Sequence, residues 1–278
     1  MSYQIIADSS CELPEELLTD PHFSLVPFGL EVGNEFIMDD EFLSVSALLK
    51  KIADCETCPR SSCPSPRSFM EKMEGDFERV YIITISSKLS GAYNSAVLAK
   101  NMYEEEHDDK KIFVIDSLSA SCGESQLAVL AHELEKQGLP FETVTEKLTA
   151  CRDRMETIFV LDNLETLRKN GRLSKVKALV ASTLNIKPVL AGDHGEIVQI
   201  GQGLGIRKAL NKLVAELVKR GNDFSSRRIF ITHCNNRERA EEVKKMILDK
   251  ISIASVLIMQ TKGLSSLYAN DGGIIVTF

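Results

Sequence analysis

The sequence has no surplus of positive charge. Its 33 lysines and arginines face 40 aspartates and glutamates, for a net charge of −7. General nucleic-acid binding requires a basic footprint, and this balance argues against it. A long hydrophobic run is also missing. The longest nearly unbroken apolar stretch, Ile251 to Met259, falls well short of the ~20 residues of a membrane-spanning helix. The first residues, Met1 to Asp8, form neither the cationic nor the apolar part of an export signal, so the expected location is the cytoplasm.

Two nucleotide-binding signatures are missing as well. There is no G-x-x-x-x-G-K-[ST] loop, and Gly201-Gln202-Gly203-Leu204-Gly205-Ile206 puts Ile206 where a dinucleotide fingerprint needs its third glycine. A G-x-S-x-G nucleophile turn is absent too. Seven cysteines, an odd number, argue against a disulfide framework. Cys55, Cys58 and Cys63 could offer three thiolates to a metal, but no fourth Cys or His stands near them, and they read as reduced thiols on a loop. No metal or cofactor is expected. Of the five histidines, only His233 ends a strand-like run, and a structural hydrogen-bonding role suits it better than catalysis.

What is present is an alternation of strand and helix. Ile5 to Ala7, Phe23 to Leu30, Val80 to Ile85 and Ile112 to Ile115 read as strands. Helices are expected from Pro14 through Leu18, over Ser44 to Ala53 with Ser44 as cap, from Pro66 to Glu74, from Tyr93, and from Glu124 to Gln137. Pro59 to Pro66 reads as a loop. This rhythm implies a parallel sheet with helices on both faces.

The second half reads as strand Thr157 to Leu161, helix Leu164 to Asn170, a further helical stretch Lys177 to Thr183, and a hairpin. Its first hairpin strand, Ile186 to Leu190, contains Pro188 and is expected at a sheet edge. Helices over 207–220 and 238–250 then alternate with strands over 228–232, 255–259 and 273–278. The expected fold is α/β, with a parallel-sheet domain over residues 1–158 and a mixed-sheet α+β domain over 159–278.

The most informative segment is the turn Ser86-Ser87-Lys88-Leu89-Ser90-Gly91-Ala92-Tyr93 between a strand and a helix. Helix-start N–H groups lack intrahelical partners, and serine hydroxyls add neutral donors, so the turn suits a carboxylate or phosphate. Asp8-Ser9-Ser10 and Asp116-Ser117 also follow strands, and parallel strand ends converge on one ligand-binding edge. Two functional classes remain open at this level. One is a binding protein; the other is a stand-alone hydrolase or phosphotransferase using Asp8 or the Ser86–Ser90 cluster.

Several ordered segments together resemble the DegV family of bacterial fatty-acid-binding proteins, the carrier subunits of fatty acid kinase. They are Ile6-Ala7-Asp8-Ser9-Ser10, Ser61-Ser62-Cys63-Pro64-Ser65, Ile85 through Tyr93, Asp116-Ser117 with Ser121 and Gly123, Asp162 through Arg172, and the surroundings of His233. The resemblance implies a long-chain fatty acid as ligand, held between two domains, with no enzymatic activity of the chain's own. Its partner would be a separate fatty acid kinase, and transient membrane contact is left open.

Carried onto this sequence, the resemblance assigns the carboxylate to Ser61 and Ser62 together with Ser90, Gly91 and Ala92. Arg172 would be a surface residue meeting the kinase or an acyl phosphate, and Asp39 would lie near the same mouth. Many relatives carry a histidine in an H-x-G-P-G motif, where this chain reads Ala269-Asn270-Asp271-Gly272-Gly273. Asn270 could then donate a hydrogen bond to the head group but could not relay a proton.

Overall fold

A computed structural model describes residues 2–176, 185–221, 224 and 227–278. The helical stretch expected from Lys177 to Thr183 lies outside the described residues. In chain order the elements begin with β1 (Tyr3–Asp8), β2 (Phe23–Val26), β3 (Gly29–Val32), β4 (Glu35–Met38), α1 (Val45–Asp54), β5 (Arg60–Ser62) and α2 (Pro66–Met73). Next come β6 (Arg79–Thr84), α3 (Ala92–Glu106), β7 (Lys111–Asp116), α4 (Cys122–Lys136), α5 (Phe141–Arg154), β8 (Thr157–Val160) and α6 (Glu165–Lys169). The chain continues with β9 (Ile186–Asp193), β10 (Glu196–Leu204), α7 (Ile206–Arg220), β11 (Arg228–His233), α8 (Arg237–Leu248), β12 (Ser255–Gln260), α9 (Gly263–Ala269) and β13 (Ile274–Thr277).

The first sheet is parallel, in the order β2-β1-β6-β7. Its strands are buried on both faces, so their sequences are nearly continuous apolar runs that divide by alternation. Ile5, Tyr81, Ile83 and Ile115 face α4 and α5, while Ile6, Val80, Ile82 and Ile112 face α2 and α3. The second sheet is mixed, in the order β10-β9-β8-β13-β11-β12, with only β11 and β12 parallel. Its outer face (Ile158, Val160, Ile229, Ile231, Ile274, Val276) packs on α7 and α8.

The inner face of the mixed sheet turns toward α4, which is therefore buried on two sides. Leu127, Ala128 and Ala131 pack on the parallel sheet, and Cys122 and Val129 pack with Phe230 and Met259 of the mixed one. The two sheets thus share one helix. The boundary expected between residues 158 and 159 falls inside β8.

Several expectations change. The run Phe23 to Leu30 is two strands in different sheets, because Pro27 interrupts it: β2 joins the parallel sheet and β3 a small antiparallel sheet, β4-β3-β5. The Pro59–Pro66 loop contains β5, paired with β3. The helix after Pro14 is a single 3-10 turn, Glu15–Leu17. Pro188 is not on an edge strand, since β9 lies between β10 and β8. It is tolerated because β8 pairs with β9 only at Leu190 and Ala191, leaving Pro188 a neighbour on one side alone. The hairpin turn itself is as expected: His194 and Gly195 both have positive φ (48° and 85°), the geometry of a tight two-residue connection.

Candidate functional site

A cavity of about 410 Å³ lies between the two sheets, within the range of small-molecule sites. Its walls are apolar: Phe28, Ile85, Leu89 and Leu118 on the parallel-sheet side, Phe159, Leu161, Ile197 and Ile275 on the mixed-sheet side, and Leu264 and Ala269 from α9. Polar groups collect at two places. One is a mouth made by Ser61, Ser62, Cys63, Ser90, Gly91, Arg172 and Tyr268; the other is a floor made by Ser10, Ser119, Ser121, Thr157 and Ser265.

Four segments build the mouth. β5 pairs with β3 in the register Leu30↔Ser61 and Gly29↔Ser62, so these two serines point to opposite faces. Ser61 is half-buried and shares a 2.9 Å hydrogen bond with the hydroxyl of Tyr268 on α9, whereas Ser62 is exposed. Ser90, just before α3, accepts a hydrogen bond from the Ala92 N–H at 3.2 Å. Arg172 follows α6 in a tight turn, where its Nε donates to the Leu89 carbonyl (3.2 Å) and its Nη1 to the Asn170 carbonyl (2.6 Å). Its guanidinium lies 5.8 Å from the Tyr268 ring centroid, in cation–π contact. These bonds hold a positive charge inside the mouth.

The floor is bonded differently. Ser121 Oγ donates to Glu12 (2.7 Å) and lies 2.7 Å from the Thr232 hydroxyl, while its N–H donates to Ser10 Oγ (3.0 Å). Ser119 and Thr157 share a 2.7 Å hydrogen bond. Ser121 also holds φ 59° and ψ −127°, a costly backbone geometry for a residue with a side chain. Beneath it are buried carboxyls. Burial pushes both Asp8 and Glu12 up to about 7, and raises Glu124 and Asp39 above the usual carboxylate range.

The loops at the parallel-sheet edge are knitted to one another. Asp8 accepts from the N–H groups of Ser10 (3.0 Å) and Ile85 (2.8 Å). Asp116 accepts from the N–H groups of Ser87 and Leu118. Ser86 donates to the Gly195 carbonyl at 2.8 Å, docking the β9–β10 hairpin tip over the cavity. A Cβ at Gly195 would lie 2.4 Å from that same Ser86 Oγ, and with its φ of +85° the position requires glycine.

The residues singled out from sequence separate accordingly. Ser61, Ser62, Ser90, Gly91 and Arg172 line the cavity. Arg172 is half-buried at the mouth, partly exposed and turned toward the cavity. Asp39 is not at the mouth. It is buried, and its two oxygens accept from the N–H groups of Gly263 (2.8 Å) and Leu264 (2.7 Å), which fixes the start of α9. Asn270 does not line the cavity: with φ 55° it ends α9, and its amide donates to the Tyr268 carbonyl. Ala92 is buried behind the lining as the first residue of α3. Asp8 is fully buried and its carboxylate serves the backbone, so it is not presented as a nucleophile. His233 Nδ1 accepts from the Asn236 N–H (3.2 Å), a structural role. Tyr268 carries no motif in the sequence, although its hydroxyl holds Ser61 and its ring carries Arg172.

A family described as "Uncharacterised protein, DegV family" matches residues 2–277. A DegV-family protein from Ruminococcus gnavus, in an alternative refinement with vaccenic acid, has a TM-score of 0.97 and 42% identity, covering 100% of both chains. The Streptococcus pneumoniae Fatty Acid Kinase (Fak) B3 protein, loaded with linoleic acid, has a TM-score of 0.90 and 33% identity, over 100% of this chain and 99% of that one. A DegV domain-containing protein of the same species is 35% identical over 282 residues, covering 100% of this chain and 99% of the relative.

Proposed function

The chain belongs to the DegV family, and on that footing we propose that it binds a long-chain fatty acid and presents it to a separate fatty acid kinase. The observation that carries this reading is the form of the cavity: apolar walls from both sheets, with hydroxyls and one guanidinium gathered at the mouth. Relatives loaded with vaccenic and linoleic acid, at 42% and 33% identity, support it.

The energetics suit a carrier. A sixteen-carbon acid places about fourteen methylenes in apolar surroundings at ~0.8 kcal/mol each, a gross gain on the order of 11 kcal/mol before the costs of association. The head group is the harder part, because a buried carboxylate without partners costs several kcal/mol. In this reading Ser61 and Tyr268 supply hydroxyls, Ser90 and Gly91 bring the start of α3 close, and Arg172 supplies the charge. Dipoles and one shared cation hold the acid without a covalent bond, so it remains free to leave or to be phosphorylated. The kinase would meet the chain at this mouth, where the carboxylate is the exposed end of the ligand.

Native mass spectrometry of the purified chain tests the ligand. The expected result is a co-purifying long-chain fatty acid at one per chain; a cavity repeatedly found empty or filled with a nucleotide would sink the reading. The head-group assignment has its own test. Ser61→Ala combined with Ser90→Ala should weaken acid binding by more than about tenfold, and unchanged affinity would put the carboxylate elsewhere.

A further inference from the structure

Away from the cavity, two histidines and a carboxylate meet on the flank of the parallel sheet. Asp20 and His22 lie in the turn leading into β2, and His132 lies in the last part of α4. His22 Nδ1 is 2.7 Å from Asp20 Oδ1, and His132 Nε2 is 3.7 Å from Asp20 Oδ2. One donor atom from each of the three residues falls within 4.8 Å of the other two. We propose that Asp20, His22 and His132 form a binding site for one zinc-class divalent cation.

The donor set selects the ion. Calcium and magnesium take oxygen ligands, whereas two imidazoles and one carboxylate suit zinc and its borderline neighbours. Bonds of 2.0–2.1 Å in a tetrahedral site put neighbouring donors about 3.4 Å apart. His22 faces one oxygen of Asp20 and His132 the other, and with one donor atom from each residue within 4.8 Å, rotation of the carboxylate and the two rings brings the set onto an ion. His22 and Asp20 are partly exposed, with side chains at 40% and 23% accessibility, while His132 is buried. An ion held here keeps an open side toward water for a fourth ligand.

The surroundings hold these side chains in place. The Tyr3 hydroxyl lies 2.9 Å from His132 Nδ1, the nitrogen opposite the one facing Asp20. A ligating imidazole ordinarily uses its second nitrogen in this way, which fixes its tautomer and orientation. The Tyr3 ring also stacks on His22, with centroids 4.3 Å apart and planes 18° from parallel. Phe23 packs against His132 with centroids at 5.1 Å. The turn is pinned by its backbone, the Ile5 N–H donating to the His22 carbonyl at 2.7 Å. A bound ion would clip this turn to α4, the helix both sheets share.

The test is calorimetric titration of the purified, metal-stripped chain with Zn²⁺, carried out in a C55S/C58S/C63S background so that the loop thiols take no part. The expected result is one Zn²⁺ per chain, with a rise in melting temperature on binding. His22→Gln and His132→Gln should each weaken binding by more than about tenfold, and Tyr3→Phe by about tenfold with the stoichiometry kept. His22 sits in a partly exposed turn, so its variant separates loss of a ligand from loss of the fold. Unchanged affinity in His22→Gln, or zinc binding that disappears with the three cysteines, would overturn the proposal.

Discussion

The mouth and the floor of the cavity are both rich in hydroxyls, yet their hydroxyls are committed differently. At the floor Ser121 is bonded to Glu12, lies against Thr232, and sends its N–H to Ser10, while Ser119 is tied to Thr157. These contacts join the parallel-sheet loops to the mixed sheet, and none of them needs a ligand. At the mouth Ser61 is bonded to Tyr268, and both are half-buried beside the partly exposed Arg172. A buried hydroxyl that already has its partners belongs to the fold, and a half-buried one beside a cation is available to an acid. The same residue type is therefore structural at one end of the cavity and suited to a ligand at the other.

Breaking the floor should have the largest effect. Glu12 accepts from Ser121 Oγ and from the Lys262 N–H (3.2 Å), linking two segments 250 residues apart in sequence. Glu12→Ala takes the acceptor from the part-buried Lys262 N–H and leaves the Ser121 hydroxyl only Thr232 as a partner, at about 1–3 kcal/mol in all. Urea unfolding should show a loss of about 2 kcal/mol. A loss below about 1 kcal/mol would mean that the floor does not join the two sheets.

How much of this could be read in the sequence depends on whether a feature is local. The apolar runs Val80–Ile85 and Ile112–Ile115 announced strands buried on both faces, and the Asp-Ser and Ser-Ser turns after them were legible as one sheet edge. The Ser44 cap was legible too, and in the structure its Oγ accepts from the Ala47 N–H. Contacts across the chain left no such trace. Tyr268 meets Ser61 across 207 positions, and Asp39 meets Leu264 across 225. A tyrosine near the end of the chain and an aspartate in a turn look ordinary until the fold brings them to their partners. α5 went unread because it buries only Val144 and Leu148, too narrow a stripe among threonines and charges to show a clear helical period. β5 is three residues long and has no period at all.

The second contrast is in titration. Asp8 and Glu12 have ordinary values of 3.8 and 4.5 but are pushed up to about 7 by burial in the fold. The folded state therefore holds more protons than the unfolded state between about pH 4 and pH 7. Stability from these groups is full below that window and is lost as the pH rises through it, by at most about 1.4 kcal/mol per pH unit for each group. The urea midpoint of the chain should fall between pH 5 and pH 7. Asp8→Asn, which keeps an acceptor for one of the two backbone donors, should flatten that fall. An equal slope in the variant would exclude Asp8 as one of the groups responsible.

The smallest effect on stability is expected at the mouth, and there it should part from the effect on binding. Ser61→Ala removes one partner of the Tyr268 hydroxyl, but water can take its place because the residues are half-buried. The cost to folding should stay below about 1 kcal/mol, since a replaceable hydrogen bond contributes little net. A carboxylate at the mouth loses a hydroxyl donor in the same variant, and a bond to a charged acceptor is worth more, about 1.5 kcal/mol or roughly tenfold in affinity. Melting temperature and fatty-acid affinity measured on one preparation should therefore diverge: the first nearly unchanged, the second clearly lower. If both fell together, Ser61 would act as the floor serines do, through the packing of α9 on β5. If only affinity falls, the mouth and the floor differ in kind, and the hydroxyl of Ser61 serves the ligand rather than the fold.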